Sequence, residues 1–435
     1  MYFPVVSVPV QIQKFMENLN SYFHKAERKN LARYCSGLCS MANKTAQGIC
    51  SMLMNAPVSS SLSDFMSKGK WDPEIANKER IRIAAKRYQN SSKRHGTLII
   101  DDILSEKTGK HIALCGKHYD HTEKQFKWGH SYVSSVLCHR DGITPVDLKI
   151  YVKEKDCSRY AWDFKTKNQI LRETIDEACK SQLPFDCVAF DAWYSSRENI
   201  ENIDEKGLAC VFQIKTNRKI KWNGKKIPID KWYDEYGKDL PHKTIEIKPF
   251  HDARKRYHVM VKNVYVCCLK RKIKLIVSHS GESISAEPKF IGTNRCSWNA
   301  GFILTRFSYR WTIETMHRDF KQHLGLEECE MRSKEAVLHH SVAVLMSATI
   351  LDEMVRESGM MHWAIGRKST GIGKKQRFLL NYLLKEFVMW ILGFLNADES
   401  KAEDIFNVMT QNLHNPELQK QLSELHPEMH KYKSP

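Results

Sequence analysis

Apolar and polar positions change their period twice along the chain. Residues 1–95 carry helical spacing. Ile12 to Ala32 is amphipathic with basic residues, Ser63-Asp64-Phe65 opens another segment, and Trp71-Asp72-Pro73-Glu74 reads as a helix start. There Asp72 is the expected N-cap, Pro73 the first helical residue and Glu74 a first-turn acid. The helix that follows carries Lys78, Arg80, Arg82, Lys86 and Arg87, a basic face that suits either DNA or water.

From Thr97 the pattern becomes strand-like. Thr97-Leu98-Ile99-Ile100 is a short apolar run ending at Asp101-Asp102, and runs at His111–Cys115, Ser131–His139 and Val146–Val152 follow. Asp141-Gly142 is a turn signal between two of them. A helical pattern over Lys165–Gln182 leads to the run Cys187-Val188-Ala189-Phe190, which ends at Asp191. Another helix is expected over Ser195–Asp204, then a strand over Leu208–Ile214. A meander followed by alternating strands and helices predicts a mixed sheet flanked by helices. Between about 216 and 295 the alternation stops. Short β-like runs (227–229, 244–247, 256–261, 264–269, 273–277, 289–291) are separated by basic clusters such as Arg254-Lys255-Arg256 and Lys270-Arg271-Lys272. After them, helices are expected over 307–321, over Ser333–Arg356 and over Phe378–Leu395, and the stretch past Pro427 is expected to fray.

The helix expected over 307–321 is the most informative. At about 100° per residue, Phe307, Arg310, Glu314, Arg318 and Lys321 share one face. A single carboxylate then stands among three cations beside an aromatic ring. Alone, this stripe fits a solvated ladder of i, i+4 ion pairs as well as it fits a site that holds a metal with Glu314 and phosphates with Arg310 and Lys321.

Composition narrows the choice. The chain has 435 residues, 42% hydrophobic and 27% charged, which is ordinary for a globular protein of two or three domains. No apolar run has the length of about 18 residues that a membrane span needs, and the N-terminus lacks the pattern of a secretory signal. No membrane partner is therefore expected. The 13 cysteines are scattered without CxxC pairs, an arrangement that implies free thiols in a reducing compartment and disfavours zinc. His118, His121, His130, Cys138 and His139 cluster, but fit no zinc template. The net charge of +18, with pI ≈ 9.2, favours a polyanionic partner, above all nucleic acid.

Asp101 and Asp191 change the picture most. Each follows four mostly β-prone apolar residues, so each is expected where a buried strand reaches the sheet edge. Carboxylates there offer hard oxygens suited to Mg²⁺ or Mn²⁺, and a Glu from a neighbouring helix would complete the set. Two ions about 3.5–4 Å apart can polarise a phosphoryl group, activate a water or a 3′-hydroxyl, and steady the leaving oxygen. Either Asp taken singly is equally a turn carboxylate capping backbone amides. Asp102 competes with Asp101, but strand alternation turns it to the opposite face. Glu327, Glu328 and Glu330 compete with Glu314, but lie past Gly325 and outside the basic stripe.

These residues resemble those of the DDE transposases of prokaryotic insertion sequences, in particular the group whose catalytic Glu lies in a Tyr-x2-Arg-x3-Glu-x6-Lys signature. Arg310, Glu314 and Lys321 match that spacing, and Trp311 and Ile313 match its common Arg-Trp-x-Ile-Glu form. Asp101 matches the family's first Asp. Asp191, with Tyr194 shortly after it, matches the second. Thr293-Asn294 before the Glu helix, His323 to Arg332 after it, and the Trp71-Asp72 region are also similar. The likeness spans roughly residues 20–350. One departure stands out: the signature's Tyr is Phe307 here, which keeps the ring but loses a hydroxyl that can bond phosphate.

The resemblance implies an α/β, ribonuclease-H-like fold with an N-terminal helical region. It implies catalytic and metal-binding roles for Asp101, Asp191 and Glu314 with two Mg²⁺ or Mn²⁺ ions, and DNA contacts from Phe307, Arg310 and Lys321. Trp298 is a candidate for stacking on an unpaired base. The expected organisation is a helical, DNA-binding region over 1–95, a catalytic core over 96–215 and 298–358, a β-rich basic insertion over 216–297 and a helical region over 359–435. The implied activity is cleavage of double-stranded DNA at terminal inverted repeats, then transfer of the freed 3′-hydroxyl to target DNA. A homodimer in the synaptic complex and a cytoplasmic, nucleoid-associated location go with it. Two other readings stay open: a ribonuclease-H-fold nuclease, or a domesticated relative, that cuts without joining, and a DNA-binding protein with a dead site. The presence of all three acids weighs against the last.

Overall fold

A computed structural model describes residues 4–54, 56–89, 96–120, 123–249, 253–281, 283, 287–357 and 371–397. In chain order the strands are β1 (Gly96–Glu106), β2 (Gly116–Asp120), β3 (Gln125–His139), β4 (Gly142–Tyr151), β5 (Phe185–Phe190), β6 (Ala209–Gln213), β7 (Lys219–Trp222), β8 (Lys225–Pro228), β9 (His242–Ile247), β10 (Lys255–Val266), β11 (Arg271–Ser280) and β12 (Lys289–Thr293). The helices are α1 (Val10–Glu17), α2 (Lys25–Ser40), α3 (Ala46–Met52), α4 (Ser59–Lys68), α5 (Pro73–Ala85), α6 (Glu154–Cys157), α7 (Lys167–Lys180), α8 (Arg197–Glu205), α9 (Ile229–Trp232), α10 (Ala300–Ser308), α11 (Trp311–His323), α12 (Lys334–Glu357) and α13 (Ile372–Ala397). They divide into two compact units, and β1, β3 and α11 each contribute residues to both.

The first unit takes in residues 1–84, 105–130 and 318–435. Asp72 caps α5 as its sequence predicts, its Oδ1 accepting from the amides of Glu74 at 2.7 Å and Ile75 at 3.2 Å. Trp71 is buried and stacks on His339 of α12 with ring centroids 3.7 Å apart. Ile12–Ala32 is two helices rather than one, because residues 18–24 leave the helical path between α1 and α2. Arg80 differs from its expected place on a basic face. It is fully buried, donating to Asn77 Oδ1 at 2.8 Å and to Thr349 Oγ1 of α12 at 2.9 Å. The strand expected over 111–115 is a turn, with Leu114 at positive φ, and the strand proper is β2. At the end of α11, Gly325 has φ 68°, and the Leu326 amide returns to the Phe320 carbonyl at 3.0 Å, which closes the helix. The stretch past Pro427 lies outside the described residues.

The second unit, residues 85–104 and 131–317, is built on a mixed sheet. Its strand order is β4-β3-β1-β5-β6-β12-β11-β10, continuing to β7 and β8, with β9 also on β10. The centre, β1-β5-β6, is parallel; β7 to β12 pair antiparallel. The parallel strands read as unbroken apolar runs because both their faces are covered. Helix α10 lies on the face bearing Cys187, Val211, Ile276 and Ile291. The expected runs 256–261 and 264–269 prove to be parts of one strand, β10, which pairs with β11 from Tyr257↔Ser280 to Val266↔Arg271. Polar Lys262 and Asn263, which seem to interrupt the pattern, sit inside that ladder. The whole is an α/β fold with a large mixed sheet flanked by helices, as expected of a ribonuclease-H-like protein. No described helix is long and apolar enough to cross a membrane.

Burial separates two arginines of α5 that look alike in sequence. Arg80→Ala removes the guanidinium hydrogen bonds to Asn77 and Thr349 and is expected to cost about 1–3 kcal/mol. Arg82, paired with Glu79 on the surface, is expected to cost under about 0.5 kcal/mol as Arg82→Ala. Urea unfolding of the two variants measures the contrast.

Candidate active site

Strand pairing brings the two aspartates together. Along β1 and β5 the last paired residues are Ile100 and Phe190, so the next on each strand are Asp101 and Asp191. Here β5 stops: Asp191 caps a short turn over Ala192–Tyr194, and its Oδ1 accepts from the Trp193 amide at 2.7 Å. By contrast β1 runs on to Glu106, so Asp101 lies within its strand and not at the expected end.

Alternation along β1 settles which carboxylate faces where. Thr97, two pairs of residues earlier, receives Arg306 of α10 on its Oγ1 at 2.8 Å, so Asp101 shares the face that carries α10. Asp102 points the other way, where Lys167 at the start of α7 and the Tyr194 hydroxyl both bond its carboxylate. Asp102 is thus held by a Lys and a Tyr on the face opposite Asp101.

Glu314 arrives differently from what its pattern predicts. The helix expected over 307–321 is broken at Tyr309-Arg310, so Phe307 belongs to α10 and Glu314 to α11. Two contacts fix this pair of helices on the sheet. Arg306, buried, adds an ion pair of 2.9 Å to Asp186, and His317 of α11 bonds Ser134 Oγ on β3 at 2.6 Å. The break leaves Arg310 at the joint. Its Nη1 lies 3.1 Å from Asp101 Oδ2 and its Nη2 lies 2.8 Å from Glu314 Oε1. The i, i+4 pair expected of a surface ladder exists, but the guanidinium also reaches into the sheet.

Electrostatics at Asp101 follow from this. Burial raises its pKa from 3.8 to about 7, against the Arg310 charge, which lowers it; neighbouring Asp191 raises it further. Among the described residues no three of His, Cys, Asp and Glu converge closely enough to hold a metal ion. The donors nonetheless fit a hard divalent cation in kind: carboxylate oxygens, two of them on adjacent strands, with too little positive charge around Asp101 to keep it ionised in acid. Arg310 stands between Asp101 and Glu314, so the three carboxylates can share an ion only if it withdraws from Asp101.

The other expected site residues lie elsewhere. Phe307 is half-buried and packs on the cluster of Cys187, Val211 and Ile291. Trp298 packs on the same cluster, edge-on to Phe302 at 4.6 Å, and its carbonyl accepts from Lys274 Nζ at 2.6 Å. Lys321, in the first unit, ion-pairs with Glu327 at 2.9 Å. Arg318 is exposed. Trp311, which matches the Arg-Trp-x-Ile-Glu form, and Trp193 are both exposed, each within two residues of a candidate site residue.

Two carboxylates stand side by side on paired parallel strands, one within its strand and one just past the end of the other, with a third acid on a helix docked beside them. The chain belongs to the DDE superfamily endonucleases: the family model matches residues 14–260, more than half of its length. That match takes in Asp101 and Asp191 and stops before Glu314. No curated protein matches the chain. Among solved structures, the NurA nuclease from Sulfolobus solfataricus is similar at 9% identity over 66% of this chain and 93% of that one, with a TM-score of 0.23. A superposition that loose carries no argument.

Asp101 makes stability depend on pH in a definite direction. Its folded pKa lies above 3.8, so its favourable contribution is complete below about pH 4 and is lost as the pH rises through about 7. Asp101→Asn, which cannot ionise, is expected to raise Tm by about 2–5 °C at about pH 8 and not at about pH 4. Arg310→Gln removes the lowering charge and is expected to move the Asp101 titration upward, read by carboxyl ¹³C NMR. A downward move would exclude Arg310 as its counter-ion.

Proposed function

We propose that this DDE endonuclease is a transposase, which binds transposon ends and performs metal-dependent DNA cleavage followed by strand transfer. Asp101, Asp191 and Glu314 are its catalytic acids and metal ligands. The observation that carries the reading is the register of β1 with β5, which sets Asp101 beside Asp191, together with Arg310 tying Glu314 to Asp101. Held by these carboxylates, Mg²⁺ or Mn²⁺ would supply Lewis-acid charge at the scissile phosphate. Arg310 neutralises the acids until DNA arrives and then has a phosphate to bind. Lys321, in the first unit, contacts DNA phosphate separately once it is freed from Glu327. Two DNA ends call for two copies of the chain.

The packing of Phe307 favours a second reading. Its ring is engaged with the core and has no hydroxyl, so one contact to a transposon end is missing. A nuclease that cuts without joining fits that loss.

Both readings are tested by searching the DNA that flanks the gene for inverted repeats and incubating duplexes that end in the flanking sequence with Mg²⁺ or Mn²⁺ and a target plasmid. Each of Asp101→Asn, Asp191→Asn and Glu314→Ala is expected to cut at less than about 1% of the parent rate, with end binding retained. Undiminished cutting by Glu314→Ala would exclude it from the site. Joined products identify a transposase, and cleavage without joining identifies the nuclease. Lys321→Ala is expected to weaken binding and to reduce the slope of log affinity against log salt by about 1.

A further inference from the structure

Three histidines and a tyrosine meet on one face of the β-rich segment. Strand β10 pairs with β11 through His258↔His279 and with β9 through Met260↔His242. His258 and Met260 are two residues apart, so His242, His258 and His279 share a face. It is the face opposite Val259 and Ile276, on which α10 lies. The His242 and His258 rings are parallel, with centroids 5.2 Å apart, and the His279 centroid lies 6.5 Å from that of His242. The Tyr233 hydroxyl sits between two of the rings, 3.0 Å from His242 Nε2 and 2.8 Å from His279 Nε2. Tyr233 and His279 are both buried.

The hydrogens of this cluster have one arrangement while His242 is neutral. His242 Nδ1 lies 2.7 Å from the Leu240 carbonyl, which only accepts, so Nδ1 carries the ring hydrogen and Nε2 is bare. Tyr233 therefore donates to His242 Nε2, and its oxygen accepts from His279 Nε2. A proton added to His242 Nε2 reverses the first bond and leaves the Tyr233 hydrogen to find another acceptor. Among the described residues the hydroxyl bonds only these two rings. His258 Nδ1 is buried with no hydrogen-bond partner among the described residues, so a proton there has nothing to bond. The neighbouring acids are already paired. Glu246, on this face of β9, is held by Arg254 and Arg256, and Asp234, next to Tyr233, by Lys238. From β12 comes only the ring of Phe290, edge-on to Tyr233. Burial lowers the His242 pKa from its usual 6.5 and outweighs the Leu240 carbonyl, which raises it; His258 and His279 lower it further.

The cluster holds β9 in place. That strand pairs with β10 alone among the described strands. Its other face, through Ile245 and Ile247, packs in one cluster with Ile303 and Leu304 of α10. Helix α10 carries Arg306 and leads into the joint at Arg310.

We propose that these four rings are a proton-operated latch: a proton taken up from water by His242 frees β9 from the sheet and uncovers α10. The latch belongs to the β-rich segment and stands whichever DNA reaction the carboxylates perform. Its sign follows from a folded pKa below the unfolded one. The grip on β9 is complete above about pH 6.5 and is lost as the pH falls below it. Once the strand is open its imidazole titrates normally, so each ring kept neutral by the closed form favours opening about tenfold at about pH 5.5.

The test is hydrogen–deuterium exchange of the full-length protein carrying Asp101→Asn, which removes a carboxyl that titrates over the same range. Exchange is compared at about pH 7.5 and about pH 5.5 after correction for its intrinsic pH dependence. Protection of β9 is expected to fall about tenfold or more at the lower pH, and that of Ile303–Phe307 to fall with it, while β5 stays within about twofold. Adding His242→Gln keeps an oxygen that accepts from Tyr233 but cannot take a proton, and is expected to hold the β9 change within about twofold. Should that variant leave β9 open at both pH values, ¹³Cε1 NMR of labelled histidine decides. The His242 resonance is expected to titrate below 6.5 with the same midpoint as the loss of β9 protection; a midpoint above 6.5 overturns the latch. Unchanged β9 protection at the lower pH also overturns it, as does an undiminished loss in a His242→Gln variant that is closed at the higher pH. Loss confined to β9, with α10 unaffected, overturns the link to the helix joint.

Discussion

Two carboxylates at neighbouring positions of adjacent parallel strands repel, and burial makes the repulsion worse. That constraint organises the centre of the second unit. Asp101 and Asp191 stand side by side because Ile100 pairs with Phe190, and a cation has to come to them. Arg310 comes from a joint between two helices. The joint stays in place because Arg306, one turn earlier, is anchored on Thr97 and Asp186, and His317, two turns later, on Ser134. The sheet's register, the helix break and the docking of α10 and α11 all meet at one guanidinium. Asp102 meets the same problem on the opposite face with Lys167 and Tyr194, so one strand carries adjacent acids with separate counter-charges.

Much of this was legible in the sequence, for identifiable reasons. A buried parallel strand reads as a continuous apolar run, so Asp101 and Asp191 stood out as the first polar residues after theirs. The cap at Asp72 was legible because Ser, Thr, Asp or Asn before Pro-Glu uses only local hydrogen bonds. The break at Tyr309-Arg310 was not. No Gly or Pro marks it, and helical spacing continues through it; contacts with residues far away in sequence make the bend. Nor does periodicity foretell that a charged residue such as Arg80 will be buried, since only a partner on a distant helix, Thr349, makes that tolerable. Exposure misled in the opposite direction. Trp298 sits close to the Glu helix in sequence and packs on the core, whereas Trp193 and Trp311 reach solvent.

The positive excess is not all available to a polyanion. Arg80 and Arg306 are buried and serve the packing of helices. Lys107 is buried too, donating to the carbonyls of Leu326, Glu327 and Cys329, with burial lowering its pKa. Other cations balance surface acids, as Arg254 and Arg256 do at Glu246. Net charge therefore overstates the field that a DNA strand meets, and the position of the uncommitted lysines matters more than their number.

The distance along the chain between Asp101 and Arg310, 209 residues, has a consequence in time. A ribosome adding about 5–20 residues per second takes roughly 10–40 s to pass from one to the other. Throughout that interval the nascent chain carries Asp101 without the arginine that neutralises it. A prematurely terminated product ending anywhere in the β-rich segment has both aspartates and no Arg310 to balance them.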